Sequence, residues 1–459
     1  MISLSILGGG LAGSEAAWQL ARRGIRVTLY EMKPTRFSPA HHSAAFAELV
    51  CSNSFGSEAV HSAAGMLQSE LAALDSLIVA EARAHRVPAG RALAVDREAF
   101  SASITERLES LDGIRIVREE VVRLPEERPL IICTGPLTSD ALAADLQARL
   151  GCDHLYFYDA VSPIVLGDSI DMNRVFRASR HDDGPGDYLN APMTEEEYYH
   201  FIDELVSADQ YPGHDFEDIR LFHGCQPIEA MARSGPRTLA FGPMRPVGLE
   251  DPRTGRRPFA VVQLRREDRD GRLWSLVGFQ TRLRHGEQAR VLRLIPGLEE
   301  AEFVRLGSIH RNTYLNAPAL LTEEMALRAV PGVYCAGQIT GVEGYLESSA
   351  SGLIVARFLE ARMRGWRLPL PPPESMLGGL LRHLREASPK NFQPMNSNFG
   401  LLPRLEGRAP KAVRRARMAE RGAKAFARWV VDIREREARH RAGEAARSRE
   451  EPPLREGGA

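Results

Sequence analysis

The sequence of 459 residues has few cysteines, almost no net charge and no long hydrophobic run. Its five cysteines form no CxxC pair and show no metal-ligand spacing, so neither a disulfide framework nor a metal site is predicted. No apolar stretch approaches the ~20 residues of a membrane span, and the N-terminus lacks the pattern of a signal peptide. We therefore expect a cytoplasmic protein without membrane contact. A formal net charge of −1 by itself argues against a nucleic-acid partner.

Positive charge is nevertheless concentrated near the C-terminus. Residues 404–450 contain fifteen Lys or Arg and seven Asp or Glu, so this segment carries +8 and the remainder of the chain −9. Such a segment is a candidate for phosphate contacts. The alternative is a solvated amphipathic helix that turns Val413, Phe426, Val430 and Ile433 inward, and the pattern favours this second interpretation.

The start of the chain predicts a strand, a glycine turn, a helix and a second strand. Gly8 permits a tight turn, Gly10 lets the backbone approach a pyrophosphate, and Gly13 lets the helix pack close to the strand. Free N–H groups at the helix start would face the anion, and Glu31 would accept a hydrogen bond from a ribose hydroxyl. The dinucleotide-contacting residues predicted in this unit are Gly8, Gly9, Gly10, Leu11, Ala12, Gly13 and Glu31.

Two later strands also end in glycine turns. The apolar run at 130–132 leads to Gly135, and the run at 333–335 leads to Gly337 and a helix of small residues. Turns of this kind offer backbone N–H groups to a phosphate or to the edge of a flavin. The cofactor-contacting residues predicted here are Gly135, Gly337, Gln338, Gly341, Glu343 and Gly344.

Residues 152–307 interrupt this α/β rhythm. Strand-like runs follow one another without crossover helices, and Asp270-Gly271 is typical of a hairpin turn. A helix is predicted to begin at the capping box that starts with Thr194. We therefore predict a largely antiparallel inserted domain. The predicted divisions are 1–151 and 308–368 for the two parts of a dinucleotide-binding domain, 152–307 for the insertion, and 369–459 for a linker and a basic helical segment.

Apolar residues at helical spacing also predict one helix over about 64–84. Cys133 and Cys335 lie on apolar strands, so we expect them to pack in the core. Cys51 and Cys225 lie instead in polar loops, which favours reactive thiols at these two positions.

Several stretches resemble one family of flavoproteins. The order of the three glycine turns is similar to that of two-dinucleotide-binding flavoproteins. Within that class the chain resembles the TrmFO family, related to GidA-type tRNA-modifying flavoproteins, up to about Gly400; its tail is longer and richer in arginine. The stretches that carry the resemblance are Gly-Leu-Ala-Gly-Ser-Glu-Ala-Ala-Trp at 10–18, Val-Cys-Ser-Asn-Ser at 50–54, Ala-Val-Asp-Arg-Glu at 94–98, Phe-Gly-Pro-Met-Arg-Pro-Val-Gly-Leu at 241–249, His-Arg-Asn-Thr-Tyr-Leu-Asn-Ala-Pro at 310–318 and Gly-Val-Glu-Gly-Tyr-Leu-Glu-Ser at 341–348.

The resemblance implies a fold and an activity. The fold is α/β, with a Rossmann-like FAD-binding domain, an inserted mainly antiparallel α+β domain and a helical C-terminal tail. The activity is methylation of uridine C5 in the tRNA T-loop, at tRNA position 54, with 5,10-methylenetetrahydrofolate as carbon donor and FAD reduced by NAD(P)H. Disulfide reductases of this fold class carry a second GxGxxG, and residues 152–307 contain none. NAD(P)H would therefore use a shared or transient site. No stable protein partner is implied.

The implied chemistry needs two protein groups. C5 of uracil becomes a nucleophile only after a thiolate adds at C6, and a base must later remove the C5 proton. The family pattern favours Cys225 for the addition and Cys51 for the proton removal, although the motifs also allow the opposite roles. His223 is either a neighbour that activates Cys225 or an ordinary surface histidine.

Other functions share parts of this pattern. A GidA-like enzyme that modifies the wobble uridine, or a ribosomal-RNA uridine methyltransferase, would use the same flavin and folate chemistry. A non-enzymatic RNA-binding flavoprotein would not need both loop cysteines. A methyltransferase that uses S-adenosylmethionine would not need the glycine turn at 337–341.

Overall fold

The computed structural model describes residues 3–151, 155–160, 162–180, 186–210, 226–307, 309–407 and 409–450. Its central sheet has five strands, and every neighbouring pair is parallel. In chain order these strands are β1 Ser3–Leu7, β2 Arg26–Tyr30, β6 Ile114–Val117, β7 Leu130–Ile132 and β16 Val333–Cys335.

The order of the strands across this sheet is β16-β7-β1-β2-β6. The chain leaves β1 for β2 on one side, and β7 lies on the other side of β1. The connections therefore leave β1 and β7 toward opposite sides of the sheet. Open α/β sheets bind ligands in the crevice at the carboxyl ends of two neighbouring strands whose connections diverge in this way. All three predicted glycine turns follow strands at this edge, so the sheet order explains why distant turns meet.

A second sheet has six strands in the order β10-β11-β12-β13-β9-β14, and its neighbouring pairs are antiparallel. The predicted hairpin is confirmed, since β12 pairs with β13 and Gly271 in their connection has φ +73°. The strands are β9 Ile164–Leu166, β10 Phe176–Ala178, β11 Tyr188–Met193, β12 Ala260–Arg266, β13 Leu273–Leu276 and β14 Phe303–Arg305.

Two smaller sheets complete the described strands. The first strand of the predicted insertion, β8, does not join the six-stranded sheet: it pairs with β15, which begins just after residue 307. The remaining strands are β3 Ser54–Ser57, β4 Arg86–Val87 and β5 Ala92–Val95 in one sheet, and β8 Leu155–Ala160 and β15 Ile309–Tyr314 in the other.

The helices cover the central sheet, flank the six-stranded sheet and close the chain. The capping box at Thr194 is confirmed, because both of its reciprocal hydrogen bonds to Glu197 are present. The helices are α1 Leu11–Ala21, α2 Ala63–Ala73, α3 Leu77–Ala84, α4 Arg97–Glu109, α5 Asp140–Leu150, α6 Glu195–Ser207, α7 Ile228–Arg233, α8 Thr238–Phe241, α9 His285–Leu292, α10 Ala317–Leu320, α11 Tyr345–Met363, α12 Met376–Glu386 and α13 Lys411–Glu450.

The prediction of one helix over 64–84 is wrong, because the chain bends by 112° between α2 and α3. Asp75 has φ +60°, and the side chain of Ser76 caps the new helix. The buried carboxylate of Glu15 accepts hydrogen bonds from Ser76 Oγ (2.7 Å) and Ile78 N (3.0 Å). A tertiary contact to α1 therefore stabilises a second helix N-terminus that the apolar spacing did not reveal.

The C-terminal segment is helical, and its apolar side packs on the protein. Phe426, Val430 and Ile433 are buried, as the amphipathic interpretation predicts, but Val413 is 42% exposed. The prediction for Val413 is wrong because it lies in the first turn of α13, ahead of the packed part. The helix lies close to the preceding segment at Gly422, where an added Cβ would lie 2.6 Å from the carbonyl oxygen of Glu374.

Among the described residues no single helix is both long and apolar enough to cross a membrane. The bent pair α2 and α3 reaches that length and apolar composition only when the two helices are counted together. The described residues also contain no group of three or more His, Cys, Asp or Glu side chains arranged to hold a metal ion.

Candidate functional site

A cleft of about 1060 Å³ opens at the carboxyl edge of the central sheet. The glycine turns that follow β1, β7 and β16 all reach it, as does the end of β2. The predicted residues that line the cleft are Gly8, Gly10, Leu11, Ala12, Glu31, Gly135, Gly337 and Gln338.

In the first glycine turn, the protein itself requires glycine at positions 8 and 13 but not at position 10. Gly8 has φ +96°, and an added Cβ would lie 2.6 Å from the carbonyl oxygen of Cys133. A Cβ on Gly13 would overlap the carbonyl oxygen of Gly8, so this glycine lets α1 pack against the turn. Gly10 differs, because its φ is −70° and no protein atom lies within 4 Å of an added Cβ. The protein itself does not require glycine at position 10, whereas a ligand in the cleft would.

Glu31 holds this turn in place. One carboxylate oxygen accepts a hydrogen bond from Gly9 N (2.9 Å), and the other accepts one from Lys33 N (3.0 Å). Gly9 does not line the cleft, and a Cβ there would overlap the ring of Phe46. Glu31 therefore shapes the turn from the end of β2 while it also lines the cleft.

The other two turns complete the wall of the cleft. Gly135 has φ +68°, and the Thr134 and Thr138 hydroxyls beside it are 2.6 Å apart. Gly337 has φ +82°, and its N–H donates to Ser351 Oγ at 2.9 Å. Both glycines therefore occupy backbone conformations that other residues rarely adopt.

Besides Gly9 and Gly13, three further predicted cofactor residues are not among those lining the cleft: Gly341, Glu343 and Gly344. A Cβ on Gly341 would lie 2.5 Å from the ring of Phe392. Glu343 accepts a hydrogen bond from Gln338 Nε2 at 3.0 Å, and its N–H donates to the carbonyl of Met395. These residues shape the segment before α11 and join it to residues 392–395.

The loop that carries Cys51 is anchored beside the cleft. Its neighbour Val50 lines the cleft, and so does Tyr345 at the start of α11. The Tyr345 hydroxyl accepts hydrogen bonds from Cys51 N (2.9 Å) and Ser52 N (3.1 Å). Burial raises the pKa of Tyr345, so this hydroxyl keeps its proton. Cys51 itself is partly exposed.

Two arginines that the sequence did not single out as site residues meet at this loop. Arg97 Nη2 and Arg305 Nη2 donate to the carbonyl oxygen of Cys51, at 3.2 and 3.3 Å. Arg97 also donates to Leu49 O (2.7 Å) and pairs with the buried carboxylate of Glu267. Burial and the neighbouring charge of Arg97 lower the pKa of Arg305 to about 10. The only sequence signal for Arg97 is its place in the stretch 94–98, and Arg305 has none.

Cys225 and His223 lie outside the described residues, so the structure does not test whether Cys225 meets Cys51. The described residues begin again at Gln226, and Glu229 shortly after it is fully buried. Its carboxylate accepts hydrogen bonds from Thr281 Oγ1 (2.9 Å) and Arg282 N (2.9 Å). Glu229 therefore attaches the segment that follows Cys225 to the connection between β13 and α9.

Cys335 on β16 and Cys133, which directly follows β7, are confirmed as core residues. Cys133 is 3% exposed and Cys335 is fully buried. Burial raises the pKa of both thiols, that of Cys335 to about 12. Neither thiol forms a thiolate at neutral pH, although Cys133 also borders the cleft.

Comparisons with known proteins agree on one family. The model of the family described as Glucose inhibited division protein A matches residues 3–366. The chain is 55% identical over 432 residues to the methylenetetrahydrofolate--tRNA-(uracil-5-)-methyltransferase TrmFO of Geobacter sulfurreducens, covering 94% of this chain and 99% of that protein. It is 54% identical to TrmFO of Thermus thermophilus, covering 94% and 97%. Among solved structures, form I of Aquifex aeolicus GidA aligns with a TM-score of 0.66 at 16% identity, over 94% of this chain and 78% of that one.

Proposed function

This chain belongs to the TrmFO family, within the Glucose inhibited division protein A family, and we propose how its cleft and its cysteine loop perform the family's reaction. The protein is a methylenetetrahydrofolate-dependent tRNA (uracil-5-)-methyltransferase that uses FAD. Our finer proposals are that the target is the T-loop uridine, that NAD(P)H is the reductant and that the reaction takes place in the cytoplasm.

The residues of the cleft fit FAD. The observation that carries this proposal is Gly10, where a side chain would meet no protein atom yet would enter the cleft at the N-terminus of α1. Backbone N–H groups at a helix N-terminus bind a pyrophosphate through their partial positive charge. Glu31 at the end of β2 would hold the ribose, and the turns at Gly135 and Gly337 would hold the remainder of the dinucleotide. When bound, FAD and methylenetetrahydrofolate supply the electrons and the one-carbon unit.

The protein's own part in the chemistry is nucleophilic and basic. We assign Cys225 Sγ to addition at C6 of uracil, which forms a C–S bond and moves the electron pair of the C5–C6 double bond toward C5 and O4. After C5 has received the one-carbon unit, Cys51 takes the proton from C5, and the returning electron pair expels the Cys225 thiolate.

The surroundings of Cys51 support its assignment as the base. A thiol must be ionised to accept a proton, and nearby positive charge favours the thiolate. Arg97 and Arg305 both donate to the carbonyl of Cys51 and place two guanidinium groups beside it. The Tyr345 hydroxyl holds the two N–H groups of the same loop. The loop is thereby fixed between the cleft and the strand β14.

Labelled-carbon transfer tests the target and the carbon source together. Methylenetetrahydrofolate labelled in its methylene carbon is incubated with the protein, NAD(P)H and one of three tRNA transcripts: unaltered, with cytidine at the T-loop position, or with cytidine at the wobble position. We expect label only in the transcripts that keep the T-loop uridine. Label that depends on the wobble uridine, or that enters ribosomal RNA instead, would replace this target. Methylation supported by S-adenosylmethionine alone would refute the folate assignment.

Substitution of the loop cysteines tests their separate roles. Cys225→Ala should abolish transfer while FAD binding and NAD(P)H oxidation persist. Cys51→Ala should also abolish transfer, but addition at C6 can still occur, so an RNA–protein adduct should accumulate on a denaturing gel. Cys335→Ala is the matched control, because its thiol is buried away from the cleft lining. Normal transfer by Cys225→Ala would refute the nucleophile assignment.

A further inference from the structure

A second cavity, of about 720 Å³, lies at the opposite end of α1 from the cleft. It is formed where the end of α1, the bend after α2, the middle of α11 and the C-terminal helix α13 meet. The eleven-residue helix α1 is about 16 Å long, so this cavity is distinct from the pyrophosphate position at Gly10. We call it the arginine cavity, and its charged lining residues are Arg22, Arg23, Arg357, Arg434, Arg441, Asp75 and Glu437.

The arginine cavity has an excess of positive charge. Five arginines and only two carboxylates line it. Glu437 is paired with Arg357, and Glu360, a further carboxylate close to Arg23, is paired with Arg364 at 2.7 Å. In the described part of the chain, no ion pair involves Arg22 or Arg441.

The two inner arginines are crowded and incompletely satisfied. Arg357 is 4% exposed, and its Nε has no hydrogen-bond partner among the described residues. The same holds for Nε of Arg23, whose Nη1 donates to the carbonyl of Gln19 at 2.8 Å. Burial and the charge of Arg357 lower the pKa of Arg23 to about 10. Like charges are therefore held together by packing, and the carboxylates of Glu437 and Glu360 offset only part of the cost, since the pKa of Arg23 is still lowered.

The guanidinium groups that line the arginine cavity favour one kind of anion. Guanidinium groups are planar, stay charged and donate two parallel hydrogen bonds, which matches a phosphoryl group better than a monoatomic anion. Arg22 and Arg441 are exposed at the mouth, Arg434 donates to the carbonyl of Ala73 beside it, and Arg357 forms the floor. We propose that the arginine cavity is a binding site for a phosphoryl group, separate from the FAD cleft. The group can belong to a free phosphate ester or to an RNA backbone.

Titration with inorganic phosphate tests the site. The full-length, FAD-loaded protein is titrated in a calorimeter at constant ionic strength, beside two double variants of equal net charge. Arg22→Gln with Arg441→Gln removes the two mouth arginines. Arg428→Gln with Arg439→Gln removes two exposed arginines of α13 that do not line the cavity. We expect saturable binding by the unaltered protein, at least about tenfold weaker binding by the first pair, and less than about twofold change for the second. No saturable binding, or equal loss in both pairs, would overturn the proposal.

A second arm identifies the source of the phosphoryl group. Filter binding of unmodified tRNA transcript is measured for the same three proteins. Weaker tRNA binding by the mouth variant alone supports the site and assigns it to the RNA backbone. Unchanged tRNA binding, with loss of phosphate binding, supports the site and assigns it to a free phosphate ester. Only this arm rests on the proposed function, and labelled-carbon transfer by the unaltered protein tests that function independently.

Discussion

Substitution of Gly10 by Ala tests whether glycine is required at this position for ligand binding rather than for folding. Gly10 has φ −70° and ψ −169°, which any L-residue adopts, and an added Cβ would meet no protein atom within 4 Å. The free energy of unfolding without flavin should therefore change by less than about 0.5 kcal/mol. With FAD bound, the methyl group would occupy space that the pyrophosphate needs. Overpacking of this kind costs about 1–3 kcal/mol, which weakens FAD binding roughly fivefold to 150-fold.

Two other glycines provide the comparison. Gly13→Ala places a Cβ into the carbonyl of Gly8, so it should lower the stability of the flavin-free protein itself, by about 1–3 kcal/mol. Gly286→Ala lies in α9, where a Cβ also meets nothing within 4 Å; it should leave FAD affinity unchanged and raise the free energy of unfolding by up to about 1 kcal/mol. We therefore expect each of the three variants to show a different combination of flavin-free stability and FAD affinity.

The assay has two parts. Flavin is removed, and the free energy of unfolding is measured by urea titration; FAD is then returned, and its dissociation constant is measured by flavin fluorescence. Undiminished FAD affinity in Gly10→Ala would refute the placement of the pyrophosphate at α1. A large loss of stability without flavin would refute the claim that position 10 is free of protein constraints.

Three further predictions follow from buried groups. Burial raises the pKa of Glu70 from 4.5 to about 7, so the folded protein retains a proton that the unfolded chain releases. The free energy of unfolding should therefore fall as pH rises from about 4.5 to about 7, and Glu70→Gln should flatten that slope in urea titrations across pH. Cys133→Ala should lower stability by about 1 kcal/mol and keep labelled-carbon transfer, and a selective loss of transfer would contradict its packing role. Ile433→Ala should lower the free energy of unfolding by about 2–4 kcal/mol and Val413→Ala by less than about 0.5, and equal effects would contradict the docking of α13.

The sequence alone determined the local backbone geometry of the cleft. Gly8, Gly135 and Gly337 have positive φ, a conformation that side chains disfavour, so residue type reports it directly. The alternation of strands and helices likewise follows from short-range periodicity, and the capping box at Thr194 is a signal contained within four residues. These features are predictable because each depends on neighbours along the chain.

Only the tertiary structure decided which residues meet. Arg97 and Arg305 reach the Cys51 loop from 46 and 254 positions away, and no periodicity marks either of them. The carboxylate of Glu15 accepts a hydrogen bond from Ser76 at the start of α3, 61 positions away. Because this contact is distant along the chain, the apolar spacing did not reveal the bend after α2. Such contacts depend on the order of strands across a sheet and on the packing of helices over it. Those arrangements depend on the total apolar surface that the whole chain buries, and a short stretch of sequence does not reveal that total.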